Sequence, residues 1–332
     1  MYSISNRIKL YNSYKDIFYN KTYKRDLFQK ISVLGQGGQG KVYKYCSKNN
    51  CKDNLAIKKI YIDKKQSKYI DDIFNIKAFK FGIFIELSSY YFINELVFQK
   101  ISPNFILNYG HEFIDRTGIC NDIYPYSGYF YNEYVSNSQL YTEWVKQEHT
   151  LHLWYNGFFQ ITTAIYALQK HFNMTHLDLH SDNILVKQVK PGGYWTYIIN
   201  NLVYKVPNLG YIFYINDFGH AFIPNVFQSW FATQRYNRKA IHKGFDIYQL
   251  FKSTLKISTS PAKFKSDIRY IIKQLKNNND FNEVIEHIWS DRYVYDTSSG
   301  KIKTLNTKNI ETYNLDAKIS TKNIPKALRV YI

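Results

Sequence analysis

Apolar and polar positions alternate closely in the first third of the chain and take up a helical spacing after its middle. ISVLGQGGQGKVYKYC places β-branched and aromatic residues on both sides of a glycine turn, and NLAIKKIYI adds a third short strand. This predicts a hairpin followed by a strand. In YFINELVFQKI, residues 91–101, the spacing of Phe92, Leu96 and Val97 predicts one face of a helix. ISPNFILNYGHEFI and SGYFYNEYV read as strands again, whereas residues 66–90 interleave Lys, Asp and Phe without a period and receive no element. After Val135 the character changes: Trp154, Phe158, Ile161, Tyr166 and Leu168 recur at mostly helical intervals. NILVKQV and GYIFYIND then give two short strands, and GFDIYQLFKSTL a further helix. The expected class is α+β, with an extension over 1–28, a strand-rich part over 29–135, a helix-led part over 136–290 and a basic Lys-rich tail over 291–332.

Composition narrows the function classes. With 332 residues, 45% of them hydrophobic and 21% charged, the chain can bury a core and is not disordered by composition. Its 44 Lys and Arg against 26 Asp and Glu give a net charge of +18, which raises nucleic-acid binding as a hypothesis. Residues 301–332 of the tail, however, carry only Tyr313 and Tyr331 as aromatics and build no stacking platform. Lys, Asn, Ile, Tyr and Phe also share AT-rich codons, so a base-composition bias enriches them together. No specific nucleic-acid partner is expected, and a basic surface suits acidic partners. Cys46, Cys51 and Cys120 are odd in number and lack zinc-site spacing, so no disulfide framework and a reducing compartment are expected. FGIFIELSSYYF falls short of the roughly 18 apolar residues of a membrane span and carries Glu86 in its middle. The opening MYSISNRIKLYNSYKDIF lacks the apolar core of a signal peptide, and the expectation is a soluble intracellular protein without a membrane span.

Four motifs carry chemistry. Gly35, Gly37, Gly38 and Gly40 lie in LGQGGQGKV, where backbones without side chains can approach phosphates closely. A strand follows them, not the helix of a dinucleotide fold, so they read as a flap between antiparallel strands. In Ala56-Ile57-Lys58, alternation puts Ala56 and Lys58 on one face and Lys59 on the other. A lysine inside an apolar strand calls for an anion, and Glu95 on the following helix is the expected carboxylate partner, ahead of Glu86. HLDLHSDNILV, His176 to Val186, sets Asp178 and Asn183 on a loop that leads into a strand. Such a loop can aim a carboxylate at a substrate hydroxyl and an amide oxygen at a metal. Asp217-Phe218-Gly219 follows an apolar strand and suits a metal ligand on a loop. Alone, each of these acids is more often a cap or turn residue.

The ordered set resembles the eukaryotic-type protein kinase superfamily: glycine flap, AIK, helix glutamate, HxDLxxxxN, DFG and then FDIYQL, over roughly residues 29–255. The resemblance implies a bilobal fold, with an antiparallel N-lobe sheet carrying one main helix and a mainly helical C-lobe. It implies ATP and Mg2+, with Mn2+ able to replace Mg2+. Carried over, Lys58 pairs with the α- and β-phosphates and with Glu95, Asp178 is the catalytic base, and Asn183 and Asp217 are the metal ligands. Asp246 braces the catalytic loop. Val42, Ala56 and Leu185 sandwich adenine, and Glu133 to Val135 form the hinge whose backbone reads its edge.

Departures refine the resemblance. Leu177 stands where regulated kinases carry arginine, so activation-loop phosphorylation is not the expected switch. DLHSDN, with His180 in place of lysine, is similar to haspin-like kinases and also to small-molecule phosphotransferases of the aminoglycoside and choline kinase type. His176 reads as a structural loop member against Phe218 and Asp246, and His220 as a loop residue. His180 is left between a phosphate contact and a hydrogen bond to Asp178. The 187–210 insertion resembles haspin and the divergent kinases of large DNA viruses, which would place the protein in host cytoplasm or virion. Only 29 positions separate Asp217 from Asp246, without an APE motif, so the activation segment is short. The leading expectation is a Ser/Thr protein kinase acting on protein, acidic substrates included; a small-molecule hydroxyl kinase and a pseudokinase scaffold are the alternatives.

Overall fold

The chain opens with a helix, α1 (Ile4–Tyr19), in a computed structural model that describes residues 3–19, 27–37, 40–48, 51, 54–116, 123–227, 244–257, 259–277, 292–293 and 308–330. Ile4, Arg7, Tyr11, Tyr14 and Phe18 recur at alternating three- and four-residue steps and are all buried. Tyr14 stacks on Tyr109 at 5.4 Å between ring centroids, and Phe18 on Tyr131 at 4.3 Å. The Arg7 guanidinium donates to both oxygens of Glu133 (2.7 and 2.6 Å) and to the carbonyls of Pro103 and Phe105. Residues expected to be an extension therefore include a packed helix. A cation within its buried stripe hides the amphipathic pattern.

Alternating apolar residues form β1 (Phe28–Gly37), β2 (Gly40–Ser47) and β3 (Asn54–Ile62), antiparallel neighbours in the order in which they occur. The hairpin closes with Gly37 opposite Gly40. At Gly40 a Cβ would lie 2.2 Å from the Lys59 carbonyl oxygen, so only glycine lets the hairpin approach β3 this closely. A short α2 (Lys64–Ser67), capped by Asp63, and α3 (Gly82–Phe98) follow. α3 covers 91–98 of the helix expected over 91–101, begins nine residues earlier and stops three residues short, and it is buried on nearly every side. β4 (Asn108–Asp115) and β5 (Tyr126–Glu133) complete a five-stranded antiparallel sheet in the order β1-β2-β3-β5-β4.

After β6 (Ser138–Leu140) and α4 (Tyr141–Trp144), the predicted long helix is α5 (Leu151–Phe172). Thr150 caps its start, and Asn173, at φ 49°, ends it. β7 (Ile184–Gln188), β8 (Tyr194–Ile199), β9 (Leu202–Pro207) and β10 (Tyr211–Ile215) follow, then α6 (Phe245–Ile257) and α7 (Ala262–Asn277). β7 pairs between β6 and β10. Most of the 187–210 insertion is the β8–β9 hairpin, turned by Asn200 and Asn201 at φ 52° and 61°. β11 (Asn309–Asn314), from the region expected to be a tail, pairs parallel to β8, and a last turn, α8 (Lys326–Arg329), lies beyond it. The strand-rich and helix-led parts meet where Ile215 N–H donates to Asn104 O (2.9 Å) and the Asn104 amide donates to Phe213 O and Gln160 Oε1.

Cys46 and Cys51 form a disulfide at the end of β2, their Cα atoms 4.8 Å apart. One local bridge is not a disulfide framework, but with it the argument for a reducing compartment loses its footing. Among the described residues no helix is long and apolar enough to cross a membrane.

Arg7→Ala is expected to lower stability by about 3 kcal/mol, because it strands the largely buried Glu133 carboxylate. Denaturant unfolding of the full chain checks this; a loss below about 0.5 kcal/mol would show that α1 does not depend on the pair.

Candidate active site

Strand alternation decides where Lys58 points. On β3, Lys58 and Ala56 face the same side as Val42 of β2 and as Phe130 and Asn132 of β5, their cross-strand partners or next-but-one neighbours. α3 covers this face, and Lys58 is only 8% exposed. Its ammonium donates to Glu86 at 2.9 and 2.7 Å and to Asp217 Oδ1 at 3.3 Å. Burial works against the charged form, but the two carboxylates outweigh it and hold the Lys58 pKa above its usual value.

The carboxylate at Lys58 is thus Glu86, which corrects the expectation of Glu95. The two glutamates are nine residues apart on α3, two and a half turns, so they leave the helix on opposite sides. Glu95 is buried as well, and its Oε2 accepts from the Gln99 amide at 2.6 Å, beside Ser320 of the C-terminal segment. A signal for Glu86 existed: a carboxylate inside the apolar run FGIFIELSSYYF needs a buried cation. The missing period over 66–90 concealed it, since a helix buried all round has none.

The His176 to Asn183 loop is held from beneath. Asp246, fully buried near the start of α6, accepts the backbone N–H groups of His176 and Leu177, each at 2.8 Å. Leu177 sits at φ 62°, an unusual conformation for a leucine, with its side chain in a small apolar cluster with Phe245 and Phe222. The His176 ring lies 4.6 Å from that of Phe218, accepts the Asp178 N–H at Nδ1 (3.3 Å) and places Nε2 2.9 Å from Asn216 O. Asn183 donates its amide to Asp178 O (2.8 Å), so the side chain can offer only its Oδ1 as an acceptor. Asn216 N–H in turn donates to Asn183 O at 3.0 Å. Asp217, the next residue, is at φ 61°, and burial opposes its ionisation, but Lys58 above all holds its carboxyl below the usual value. Lys58, Asp178, Asn183 and Asp217 are thereby gathered into one linked constellation.

The remaining expected residues surround it. A Cβ at Gly35 or Gly37 would meet nothing within 4 Å, so both border open space; Gly38 lies outside the described residues. Val42, Ala56 and Leu185 are half-buried. Glu133 ends β5, with its side chain on Arg7 and its N–H donating to Leu107 O at 2.8 Å, and the Val135 carbonyl accepts from the Ser138 hydroxyl at 2.7 Å. His180 places Nε2 3.7 Å from Asp178 Oδ2, and its Nδ1 accepts the Asp182 N–H. His220, after Gly219, is partly buried, and that burial lowers its pKa. Residues 228–243, which hold most of the expected short activation segment, lie outside the described residues.

No protein-family model matches the chain. It is 24% identical over 218 residues, 62% of its length, to "Probable serine/threonine-protein kinase 380R" of Invertebrate iridescent virus 6. Over 62 residues, 18% of its length, it is 42% identical to "Putative serine/threonine-protein kinase 019R" of Frog virus 3 (isolate Goorha). Over 78 residues, 24% of its length, it is 38% identical to "Uncharacterized protein 011L" of Invertebrate iridescent virus 3. These matches cover 39%, 7% and 10% of the respective relatives. The chain is therefore related, distantly, to viral proteins named as serine/threonine kinases.

The stability that Lys58 contributes is present in full below its ordinary pKa of 10.5 and is lost as pH rises through the higher folded value. Glu86→Gln removes the nearer carboxylate, lets that pKa fall, and is expected to bring alkaline unfolding to lower pH. Glu95→Gln is expected to keep the wild-type alkaline limb. Denaturant midpoints measured from neutral pH to pH 11 compare the two, and equal shifts would contradict the assignment of Glu86 as the partner.

Proposed function

We propose that this protein transfers the γ-phosphoryl group of ATP to serine or threonine hydroxyls of protein substrates, acting as a two-lobed kinase with the nucleotide between its strand-rich and helix-led parts. The observation that carries the reading is the Lys58 ammonium, buried between Glu86 and Asp217, with Asp178 and Asn183 tied to the same turn. A buried cation kept charged on the strand beside the glycine hairpin is suited to the α- and β-phosphates. Distant relatives named as serine/threonine kinases support the same reading.

In this reading the half-buried Val42, Ala56 and Leu185 enclose adenine, and Glu133 to Val135 read its edge. The β1–β2 hairpin covers the phosphates with backbone N–H groups. Asp178 accepts the proton of the acceptor hydroxyl as its oxygen bonds to the γ-phosphorus, and ADP leaves with the electron pair of the broken bond. Lys58 and Glu86 keep the phosphates in line. The oxygen donors Asn183 Oδ1 and the Asp217 carboxylate would hold a hard divalent cation. Mg2+, or Mn2+ in its place, would supply there positive charge against the phosphate oxygens. The net charge of +18 favours acidic acceptor sequences.

Purified protein, γ-labelled ATP, Mg2+ and a panel of acidic Ser/Thr peptides beside aminoglycosides and choline test the proposal. Transfer to peptide is expected, with Asp178→Ala lowering it about 10²- to 10⁴-fold and Asp217→Ala abolishing it while the fold survives. Transfer to the small hydroxyl compounds alone would make the protein a small-molecule kinase. Absence of ATP binding, or unchanged transfer in Asp217→Ala, would overturn the assignment.

A further inference from the structure

The Lys58–Glu86 pair is the end of a longer buried chain. Tyr90, one turn along α3, donates its hydroxyl to Glu86 Oε1 at 3.1 Å. The Asn132 side chain of β5 lies beside the Tyr90 phenol, and its Oδ1 accepts from the Asn108 amide at 2.8 Å. Asn108, the first residue of β4, returns to α3: its N–H donates to Asn94 Oδ1 at 3.1 Å and its carbonyl accepts from Asn94 Nδ2 at 2.8 Å. All five side chains are at most 8% exposed.

The direction of these bonds is consistent. Both hydrogen bonds run toward the carboxylate, Asn108 amide to Asn132 Oδ1 and Tyr90 hydroxyl to Glu86, and with its Oδ1 engaged Asn132 has its amide left to face the Tyr90 oxygen. Apolar side chains of the same size would pack α3 on the sheet equally well but would let it slide or turn, because apolar contact has no direction. A satisfied polar chain permits one placement. It ties two points of α3, Glu86 to Tyr90 and Asn94, to two neighbouring strands that do not carry Lys58.

We propose that Tyr90 is a positioning residue for the Lys58–Glu86 pair, and that Tyr90, Asn132, Asn108 and Asn94 together pin α3 in the ion-paired position before any nucleotide arrives. The catalytic consequence rests on the phosphotransferase reading; the placement of the helix does not. No phosphate, partner or modified loop is then needed to bring Glu86 to the lysine.

Tyr90→Phe keeps the ring and removes the hydroxyl. Without nucleotide, backbone amides of residues 86–95 are expected to exchange with deuterium about tenfold faster than in wild type, while those of β10 keep their rate. The lost donor also lets the Glu86 pKa rise, so the acid limb of the pH–rate profile moves to higher pH, a shift that mere loss of packing would not produce. Asn132→Leu, which cuts the chain one bond further out, is expected to change both readouts in the same direction and by less. Wild-type exchange over α3 in both variants would overturn the proposal, as would an unmoved acid limb in an active Tyr90→Phe protein. If wild type transfers no phosphate, the phosphotransferase reading falls, and the exchange measurement still decides the placement of α3.

Discussion

Everything at the candidate site depends on keeping one ammonium charged in the interior. A buried lysine ordinarily gives up its proton, and this one keeps it because two carboxylates reach it from separate elements, α3 and the loop after β10. The arrangement links three parts of the chain that are otherwise remote in sequence. It also explains why the strand face around Lys58 is so exacting: Ala56 leaves room beside the lysine, Phe130 packs on Tyr90 with ring centroids 6.3 Å apart, and Asn132 supplies an amide in place of a hydrocarbon.

The second part of the site is built on backbone strain held by hydrogen bonds. Leu177 and Asp217 both adopt left-handed conformations that cost about 1–3 kcal/mol each for residues of their kind. Asp246 takes the two N–H groups around Leu177, and the link from Asn216 to Asn183 holds the turn that precedes Asp217. Those bonds set the directions in which Asp178 and Asp217 leave their turns. A chain free to relax at either position would aim its carboxylates elsewhere.

Much of this was legible in the sequence, for identifiable reasons. Period-two alternation told which of two adjacent lysines points inward, and the spacing from His176 to Asn183 and to Asp217 marked side chains that the fold brings together. What escaped were elements whose burial carries no period. α3 is enclosed on nearly all sides, so its first half carries no period that would set Glu86 ahead of Glu95. α1 has its three-four spacing interrupted by a buried arginine, which reads as polar until Glu133 is seen beneath it. The β8–β9 hairpin had its turn written in Asn200-Asn201, but the third strand of its sheet comes from more than a hundred residues away, beyond the range of any local pattern.

That last sheet bears on how the protein is made. The Ile4 N–H donates to Glu311 Oε2 across 307 positions, and Lys100 bonds the same carboxylate 3.2 Å away. During synthesis α1 can coil early, and Arg7 finds Pro103, Phe105 and Glu133 midway, but the Ile4 N–H has no partner until Glu311 has left the ribosome. Contacts of such sequence separation are slow to close and leave apolar surface uncovered meanwhile. Tyr11, Tyr14 and Phe18 meet Phe98, Tyr109 and Tyr131 within the first 131 residues, so α1 docks through its later turns and its N-terminus is locked last.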